Sequence, residues 1–303
     1  MNRIKSISTV RFAKNAAPYM FLLPAVLPVL FFYAYPLVQS IRMSFYNYVV
    51  LNPAMNTPAG FDNYIRVLTD DWVGLVFRQT IIWVVVSLFF QLILGFVLAL
   101  LLWRGFSGKK AYQAVVFLPW AVAGFLIGIM FRWMFNAQFG VISDILSRLG
   151  LMGDQISILS NPDIALIGPI VGLVWYGIPF FAIMLLAALQ SVSTDMLEAA
   201  EIDGAGSVNR LFRIIIPTIK PTLVVTILLR VIWIFNSADI IYVMTHGGPM
   251  NRSHTLASYM FQRAYLNMDF SFTSALAILI IVFLAIYTCL FLWAAKFSEA
   301  GEV

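Results

Sequence analysis

The sequence predicts an all-α membrane protein with six transmembrane helices. The first reason is composition, because 61% of the 303 residues are hydrophobic and 11% are charged, whereas soluble domains carry about 25% charged residues. The second reason is that six apolar runs are long enough to cross a bilayer, which takes about 20 residues of helix. The third is the distribution of lysine and arginine, which gives these runs an orientation.

The six runs are continuously apolar, so we expect helices and not the alternating strands of a membrane barrel. The first run has no charge between Lys14 and Arg42. It exceeds the roughly 7–15 apolar residues of a cleaved signal, and we expect it to stay as an anchor. Together the runs predict one membrane domain over 18–296 without a soluble domain. The predicted spans are about 18–41, 79–103, 111–131, 164–190, 222–245 and 270–295.

Basic residues predict which ends of the spans lie in the cytoplasm, where lysine and arginine collect. With the N-terminus inside, eleven of the 19 basic residues lie on that side, seven lie outside, and Arg230 lies within a span. We therefore expect both termini in the cytoplasm, as an N-terminal segment 1–17 and a tail 297–303. The longest cytoplasmic connection is then the loop 191–221, between spans four and five.

Several function classes are not supported by the residues present. Cys289 is the one cysteine of the chain, so no intrachain disulfide is expected. No long basic tract predicts nucleic-acid binding. His246 and His254 have no cysteine or tight carboxylate cluster beside them, so we expect no metal site. The ionisable residues of the spans are scattered, so we also expect no catalytic site.

The densest acidic cluster of this weakly charged chain lies in the loop 191–221. Four of the fourteen acids occur between Asp195 and Asp203, and glycines follow at once. We expect two short helices around a turn, with Asp195 capping the first and Glu198 following three residues later, as in a capping box. The rest of the predicted loop is a turn at Gly204 and Gly206, a second helix capped by Ser207, and an end to that helix at Pro217 and Pro221.

Two interpretations of this loop are open from the residues alone. It could be an amphipathic elbow on the membrane surface, but such elbows prefer basic residues beside anionic headgroups. A docking surface for a cytoplasmic partner explains the acids better. A DNA-binding helix-turn-helix is not supported, because the first helix is acidic and membrane spans flank the loop.

The stretch EAAEIDGAGSVNRLFRIIIP, residues 198–217, resembles the EAA loop of ABC importer permeases. The resemblance implies a coupling helix that sits in a groove of an ATPase subunit. It implies that Glu198 pairs with a basic residue of that subunit and that Gly204 lets the chain turn. Ile216 stands where leucine is usual. The residues that match the pattern are Glu198, Ala199, Ala200, Asp203, Gly204, Ala205, Ile214 and Pro217.

Three further stretches resemble the carbohydrate-type group of these permeases, which includes those for maltose and glycerol phosphate. They are WYGIPFFAIMLLAALQSV at 175–192, FNSADIIYVMTHGGP at 235–249 and SHTLASYMFQRAY at 253–265. The resemblance implies a multi-pass subunit of a bacterial or archaeal inner or plasma membrane, which forms the pathway for a sugar or sugar derivative.

The partners implied by this resemblance are the lipid bilayer, a second homologous permease in a heterodimer, an ABC ATPase dimer and an extracytoplasmic solute-binding protein. The sequence has no Gly-x-x-x-x-Gly-Lys loop for phosphate. This agrees with ATP and Mg bound on the partner ATPase and with no cofactor bound by this chain.

Ionisable residues within spans are costly in lipid and mark functional sites. Arg230 and Asp239 lie in the fifth span, and nine residues set them about 180° apart on a helix, so we expect no direct pair. Arg230 shares a face with Ser237 and lies near Trp233. A cation, a hydroxyl and an aromatic ring suit a sugar, including one with an acidic group. The alternatives are a bond from Arg230 to another helix or the partner permease, and a salt bridge for Asp239.

The carbohydrate-type resemblance adds residues to this candidate pathway. It implies that Asn236 and Ser237 on the fifth span, and Tyr176 and Gly177 on the fourth, line the transport path. Gln91 in the second span is expected to make an interhelical hydrogen bond. The candidate pathway residues are therefore Tyr176, Gly177, Arg230, Trp233, Asn236, Ser237 and Asp239.

Two other functions compete with the importer subunit. An ion-coupled carrier predicts paired broken helices related by repeat symmetry, and the sequence has no obvious internal repeat. A membrane-embedded enzyme acting on lipid or glycan predicts converging acid, base or metal groups. The spans offer only scattered groups of this kind, and the carrier leaves the acidic loop unexplained.

Overall fold

The computed structural model describes residues 20–150 and 157–295, so the predicted segments 1–17 and 297–303 lie outside the described residues. The described part is mostly helical, and five of its helices are long and apolar enough to cross a membrane, or six if one bent pair counts as a span. This confirms the prediction of a helical protein with several membrane spans. Its helices are α1 (Met20–Ser44), α2 (Asp62–Leu68), α3 (Val73–Trp103), α4 (Lys109–Ala121), α5 (Gly124–Met134), α6 (Val141–Arg148), α7 (Ile167–Leu189), α8 (Thr194–Ile202), α9 (Ser207–Arg210), α10 (Ile216–Asn236), α11 (Asp239–Thr245), α12 (Leu256–Tyr265) and α13 (Phe270–Ala294).

The third predicted span, 111–131, falls on two helices rather than one. α4 and α5 meet at an angle of 95°, because Val122 and Ala123 between them are extended. Pro119 lies in the last turn of α4, where a proline removes a backbone hydrogen bond. The apolar run is uninterrupted in sequence, so composition alone does not reveal the bend.

The fifth predicted span, 222–245, also differs from a simple helix. α10 ends at Asn236, Ser237 is extended with ψ at 97°, and α11 begins at Asp239. The predicted helix end at Pro217 and Pro221 is wrong, since helical structure continues from α9 through a π-helical turn at Leu211–Ile215 into α10.

This continuous helix tolerates its prolines for a local reason. Pro217 lies in the first turn of α10 directly after the wide π turn. The Thr218 hydroxyl donates a hydrogen bond to the Ile214 carbonyl at 2.7 Å, as side chains near membrane prolines do when they satisfy exposed carbonyls. The loop therefore joins the fifth span as one helix.

The described residues divide into two compact units, of which the first comprises those within 1–67 and 268–279. It contains α1 and a two-stranded antiparallel hairpin, Tyr46–Asn47 paired with Thr57–Pro58, which the all-α prediction did not include. Asn63 ties this unit together, because its buried amide donates hydrogen bonds to the carbonyls of Ser44 and Tyr46.

The second unit comprises the described residues within 68–267 and 280–303, and the packing of α3 on α7 forms its core. Gly95 permits this packing, because a Cβ on Gly95 would collide with the Phe181 side chain and lie 3.0 Å from the Ile178 carbonyl. Small residues at crossing points let membrane helices approach closely. The buried side chains of this core include Leu98, Leu102, Phe181, Leu185, Leu189 and Ile219.

Two cross-helix hydrogen bonds fix α3 against the later helices of the second unit. The buried Trp83 Nε1 donates to the Ile234 carbonyl of α10 at 2.9 Å. The Thr80 hydroxyl accepts a bond from the amide of Leu256 at 2.8 Å, at the start of α12. These contacts hold α10 and the start of α12 against α3.

Candidate functional site

Six of the seven predicted pathway residues line one cavity of the second unit. Gly177 does not line it, and Trp120 of α4 joins it. Helices α4, α7, α10 and α11 therefore contribute to a single polar and aromatic surface. The lining residues are Trp120, Tyr176, Arg230, Trp233, Asn236, Ser237 and Asp239.

The break between α10 and α11 brings Arg230 and Asp239 to the same cavity. On one straight helix their separation of nine residues would place them on opposite faces. Because the helix ends at Asn236 and restarts at Asp239, both side chains line the cavity. They form no ion pair, which agrees with the expectation that they do not pair directly.

Arg230 is held by a hydrogen-bonded chain that runs across three helices. Its Nε donates to Gln91 Oε1 at 2.6 Å, and Gln91 Nε2 donates to the Leu173 carbonyl at 2.8 Å. Both side chains are buried. The expected interhelical bond of Gln91 is therefore present, and it links α3, α7 and α10.

Gly177 has its role beside this chain rather than in the cavity wall. A Cβ at this position would overlap both the Gln91 amide and Arg230 Nη2. Any larger residue would displace one of the two side chains, so the absence of a side chain at Gly177 leaves the space that the Gln91–Arg230 bond occupies.

Aromatic rings surround the guanidinium of Arg230. Its Cζ lies 5.9 Å from the ring centroid of Tyr176 and 5.4 Å from that of Phe180. The Phe180 ring in turn packs against Trp233, with centroids 5.2 Å apart, and against Trp120, at 6.2 Å. Such faces attract a cation. Trp120 and Phe180 were not predicted from the sequence, although Phe180 follows Tyr176 by one helical turn.

Asp239 lies against the first residue of α5. A Cβ on Gly124 would collide with its carboxylate, and Asp239 itself stands in the first turn of α11. A carboxylate is stabilised by the positive end of a helix dipole. The expected salt bridge of Asp239 is not formed within residues 20–150 and 157–295.

The acidic loop begins with α8, whose cap differs from the prediction. Ser193, not Asp195, is the N-cap residue, and its hydroxyl accepts a bond from the Met196 amide. Asp195 lies in the first turn, where a negative charge still favours the helix dipole. Ser207 is likewise the first residue of α9 and not its cap, which is Gly206.

The glycine turn after α8 is a Schellman motif. The amide of Ala205 donates to the Ala200 carbonyl at 2.8 Å, and the amide of Gly204 donates to the Glu201 carbonyl at 3.0 Å. Gly204 has φ at +81°, the left-handed conformation that this motif requires and that glycine adopts without strain. Asp203 ends the helix as its C-cap.

The acids of the loop differ in their partners. Glu201 forms an ion pair with Arg210 at 2.6 Å, which joins α8 to α9. Glu198 is exposed and has no ion pair or hydrogen bond from its side chain to any described residue. Ala199 and Ala200, which also match the EAA pattern, lie beside it on the short helix.

The two histidines lie in different environments. The described residues contain no group of three His, Cys, Asp or Glu side chains that could hold a metal ion. His246 is exposed. His254 is buried, its Nδ1 lies 2.9 Å from the Ser258 hydroxyl, and its ring packs on the backbone of Gly247. Burial lowers the pKa of His254 from the usual 6.5 to about 4, so this ring is neutral at pH 7.

A polar cluster near His254 connects α12 to the segment before α3. Arg263 forms an ion pair with Asp70, and the Tyr259 hydroxyl donates to Asp70 Oδ1 at 3.0 Å. Burial raises the pKa of Tyr259 to about 12, against the opposing effect of Arg263. The tyrosine therefore stays protonated and serves as a donor.

Two transport permeases are similar in sequence to this chain over most of its length. Over 273 residues the chain is 31% identical to the sulfoquinovosyl glycerol transport system permease protein SmoG of Agrobacterium fabrum, covering 90% of this chain and 88% of that protein. Over 295 residues it is 32% identical to the trehalose/maltose transport system permease protein MalF of Thermococcus litoralis, covering 96% and 98%.

A solved structure has the same fold. A chain of a bacterial ABC transporter involved in the import of the acidic polysaccharide alginate superposes with a TM-score of 0.81 at 22% identity, covering 95% of this chain and 98% of that one. Residues 91–300 match the family model described as binding-protein-dependent transport system inner membrane component. This match covers most of the chain and includes both the cavity and the acidic loop. The chain therefore belongs to the family of inner-membrane components of binding-protein-dependent transport systems.

Proposed function

We propose that this chain is the translocation subunit of an ATP-driven sugar importer and is not itself an enzyme. Family membership supports the assignment to this class of transporter subunit. The proposed mechanism rests on the structure of α8. In this proposal both termini and the loop that contains α8 lie in the cytoplasm. An ATPase dimer on that side binds ATP and Mg, while this chain binds no cofactor.

The exposed surface of α8 supports its role as the coupling helix. Leu197 packs against the core of the second unit, so one side of the helix is anchored. Ile202 is 88% exposed and lies one helical turn after the unpaired Glu198, on the same face of α8. An exposed apolar side chain beside a free carboxylate is a surface that a partner protein with a basic residue would cover.

The continuous helix after the loop explains how movement would reach the cavity. The Schellman turn and the Glu201–Arg210 ion pair attach α8 to α9. Helical structure then runs without a gap through α10 to Asn236, which lines the cavity. In our proposal, closure of the ATPase dimer tilts this helix and opens the cavity to the cytoplasm.

The cavity supports a sugar as the transported solute. Aromatic rings with a few placed hydrogen-bonding groups are typical of small-molecule sites, and Trp120, Trp233, Asn236 and Ser237 provide them here. The relatives are named for sugars and sugar derivatives. We propose that a second, homologous permease completes the pathway in a heterodimer and that an extracytoplasmic solute-binding protein delivers the solute.

Co-purification tests the ATPase contact most simply. The tagged chain is expressed with its second permease and ATPase, and the ATPase recovered per permease is measured. Glu198→Ala should reduce recovery roughly tenfold, because it removes a charged contact with the partner.

Glu201→Ala is the matched control for this experiment. It removes an equally acidic side chain from the same helix, but the Glu201 carboxylate already pairs with Arg210. Recovery of the ATPase should therefore stay close to that of the unaltered chain. Full recovery after replacement of the whole of 194–202 by a Gly-Ser linker would contradict the proposal and favour a self-sufficient carrier or a membrane enzyme.

A further inference from the structure

We propose that the Arg230 guanidinium binds the acidic group of the transported solute, so that the cargo is a sugar bearing a carboxylate, sulfonate or phosphate. The inference rests on the proposed function and specifies its substrate class. It follows from three features of the cavity, which are an uncompensated buried charge, a fixed guanidinium orientation and a neighbouring carboxylate that is stabilised elsewhere.

The charge of Arg230 is not neutralised by any residue that the structure describes. The residue is 3% exposed, its Nη2 lies against Gly177 and has no hydrogen-bond partner among the described residues, and none of their carboxylates lies within ion-pair distance. A buried cation without a counter-charge is costly, and such groups in membrane segments mark sites of function. An anion that enters the cavity would supply the missing charge.

The guanidinium is also fixed in orientation before any solute arrives. Gln91 accepts from Nε at 2.6 Å, and the Leu173 carbonyl fixes the Gln91 amide in turn. The space left at Gly177 admits both side chains. Because the amide of Gln91 carries no charge, it orients Arg230 without neutralising it, and a charge-assisted bond to an anion remains to be made.

Asp239 does not neutralise the Arg230 guanidinium by an ion pair, although it lines the same cavity. Its carboxylate lies against Gly124, the first residue of α5, and Asp239 stands in the first turn of α11, where a negative charge is favourable to the helix dipole. The cavity therefore keeps a cation at Arg230 on α10, while Trp120 and Trp233 offer apolar faces to a sugar ring.

Direct binding of matched glycosides tests the inference. The complex of this chain, its second permease and the ATPase is purified in nanodiscs without the binding protein. Three radiolabelled probes are titrated by scintillation proximity, namely methyl glucoside, methyl glucuronide and methyl 6-deoxy-6-sulfoglucoside. Both acidic probes should bind at least about tenfold more tightly than the neutral one, as expected for a charge-assisted bond.

Three variants assign the preference to the guanidinium. Arg230→Gln should abolish the difference between the acidic and neutral probes, and Arg230→Lys should retain part of it because the charge remains. Arg148→Gln is the matched control, since this arginine is exposed and pairs with Asp144 on the surface of α6. It should bind all three probes like the unaltered complex.

The outcomes separate this inference from the function on which it rests. Equal binding of the three probes by the unaltered complex, absence of binding, or an acidic preference that survives in Arg230→Gln would overturn the anion site. The comparison of probes needs no variant, so it stands even if Arg230→Gln fails to assemble. A preparation that contains the ATPase but shows no acidic preference overturns only the inference, whereas a chain that retains no ATPase overturns the proposed function.

Discussion

Gln91 accepts a hydrogen bond from Arg230 across the interface of α3 and α10, with Nε and Oε1 2.6 Å apart. The two residues are separated by 139 positions in sequence, and each is buried. The bond therefore joins the packing of the bundle to the charge that lines the cavity. Changes at this pair should affect both stability and solute recognition.

Replacing Gln91 by leucine should destabilise the protein. Arg230 would lose the one side-chain acceptor that its Nε has, and breaking a buried polar pair costs about 3 kcal/mol. Thermal unfolding of the purified complex in detergent should show a clear decrease in Tm. Ser87→Ala is the matched control, because Ser87 lies one helical turn away and its buried hydroxyl has no hydrogen-bond partner in the part of the chain that the structure describes. Its Tm should be unchanged or higher, and an equal decrease in both variants would contradict this account.

The crossing of α3 and α7 should not tolerate a methyl group at Gly95. An alanine there would collide with the Phe181 side chain, and overpacking of a core costs about 1–3 kcal/mol. Unfolding of Gly95→Ala should therefore occur at a lower temperature. Gly74→Ala lies on the same helix with nothing within 4 Å of the added Cβ, and it should leave Tm within error of the parent.

The Schellman turn predicts different results for two neighbouring glycines. Gly204→Ala forces an alanine into φ of +81°, which costs about 1–2 kcal/mol, whereas Gly206 has φ of −65° and open space around it. Hydrogen exchange of the α8 amides should accelerate roughly tenfold in Gly204→Ala and stay unchanged in Gly206→Ala. Equal protection in both variants would show that the turn does not hold the helix.

Stability should depend on pH through His254. Because burial lowers the pKa of His254 to about 4 from 6.5, the unfolded chain binds the proton first as pH falls. Stability is therefore complete above about pH 6.5 and is lost between that value and pH 4, by about 2 kcal/mol at pH 5. His254→Gln should show a smaller decrease in Tm between pH 7 and pH 5. His246→Gln, at an exposed position, should keep the pH dependence of the parent.

The sequence predicted the membrane class, the position of the acidic loop and most of the residues that line the cavity. The length of the apolar runs indicates burial in lipid. The spacing of the acids and glycines indicates the backbone conformation of the loop. The same patterns did not predict the break at Ser237 or the bend at Val122. Val122 lies within an uninterrupted apolar run, where composition is the same for a straight helix and a bent one. The polar residues Asn236, Ser237 and Asp239 mark the fifth span as unusual but do not distinguish a pathway lining from a helix break.

The remaining differences between the predicted and the observed helices have local causes in neighbouring side chains. Ser193 and Asp195 both suit a helix cap, and the chain path selects Ser193. Pro217 and Pro221 usually end a helix, but the π turn and the Thr218 hydroxyl accommodate them. The Gln91–Arg230 bond depends on the space at Gly177, which no local sequence pattern reveals.

ATP-driven uptake tests the central proposal most directly. Proteoliposomes containing the complete importer with its binding protein are loaded with ATP and Mg, and accumulation of a radiolabelled glycoside bound by that protein is followed. We expect accumulation that requires ATP hydrolysis and falls at least roughly tenfold in Glu198→Ala, whereas Asp144→Ala, which removes an exposed carboxylate paired with Arg148 on α6, should stay close to the parent. Accumulation that persists without ATP, or without this chain, would contradict its role as the translocation subunit.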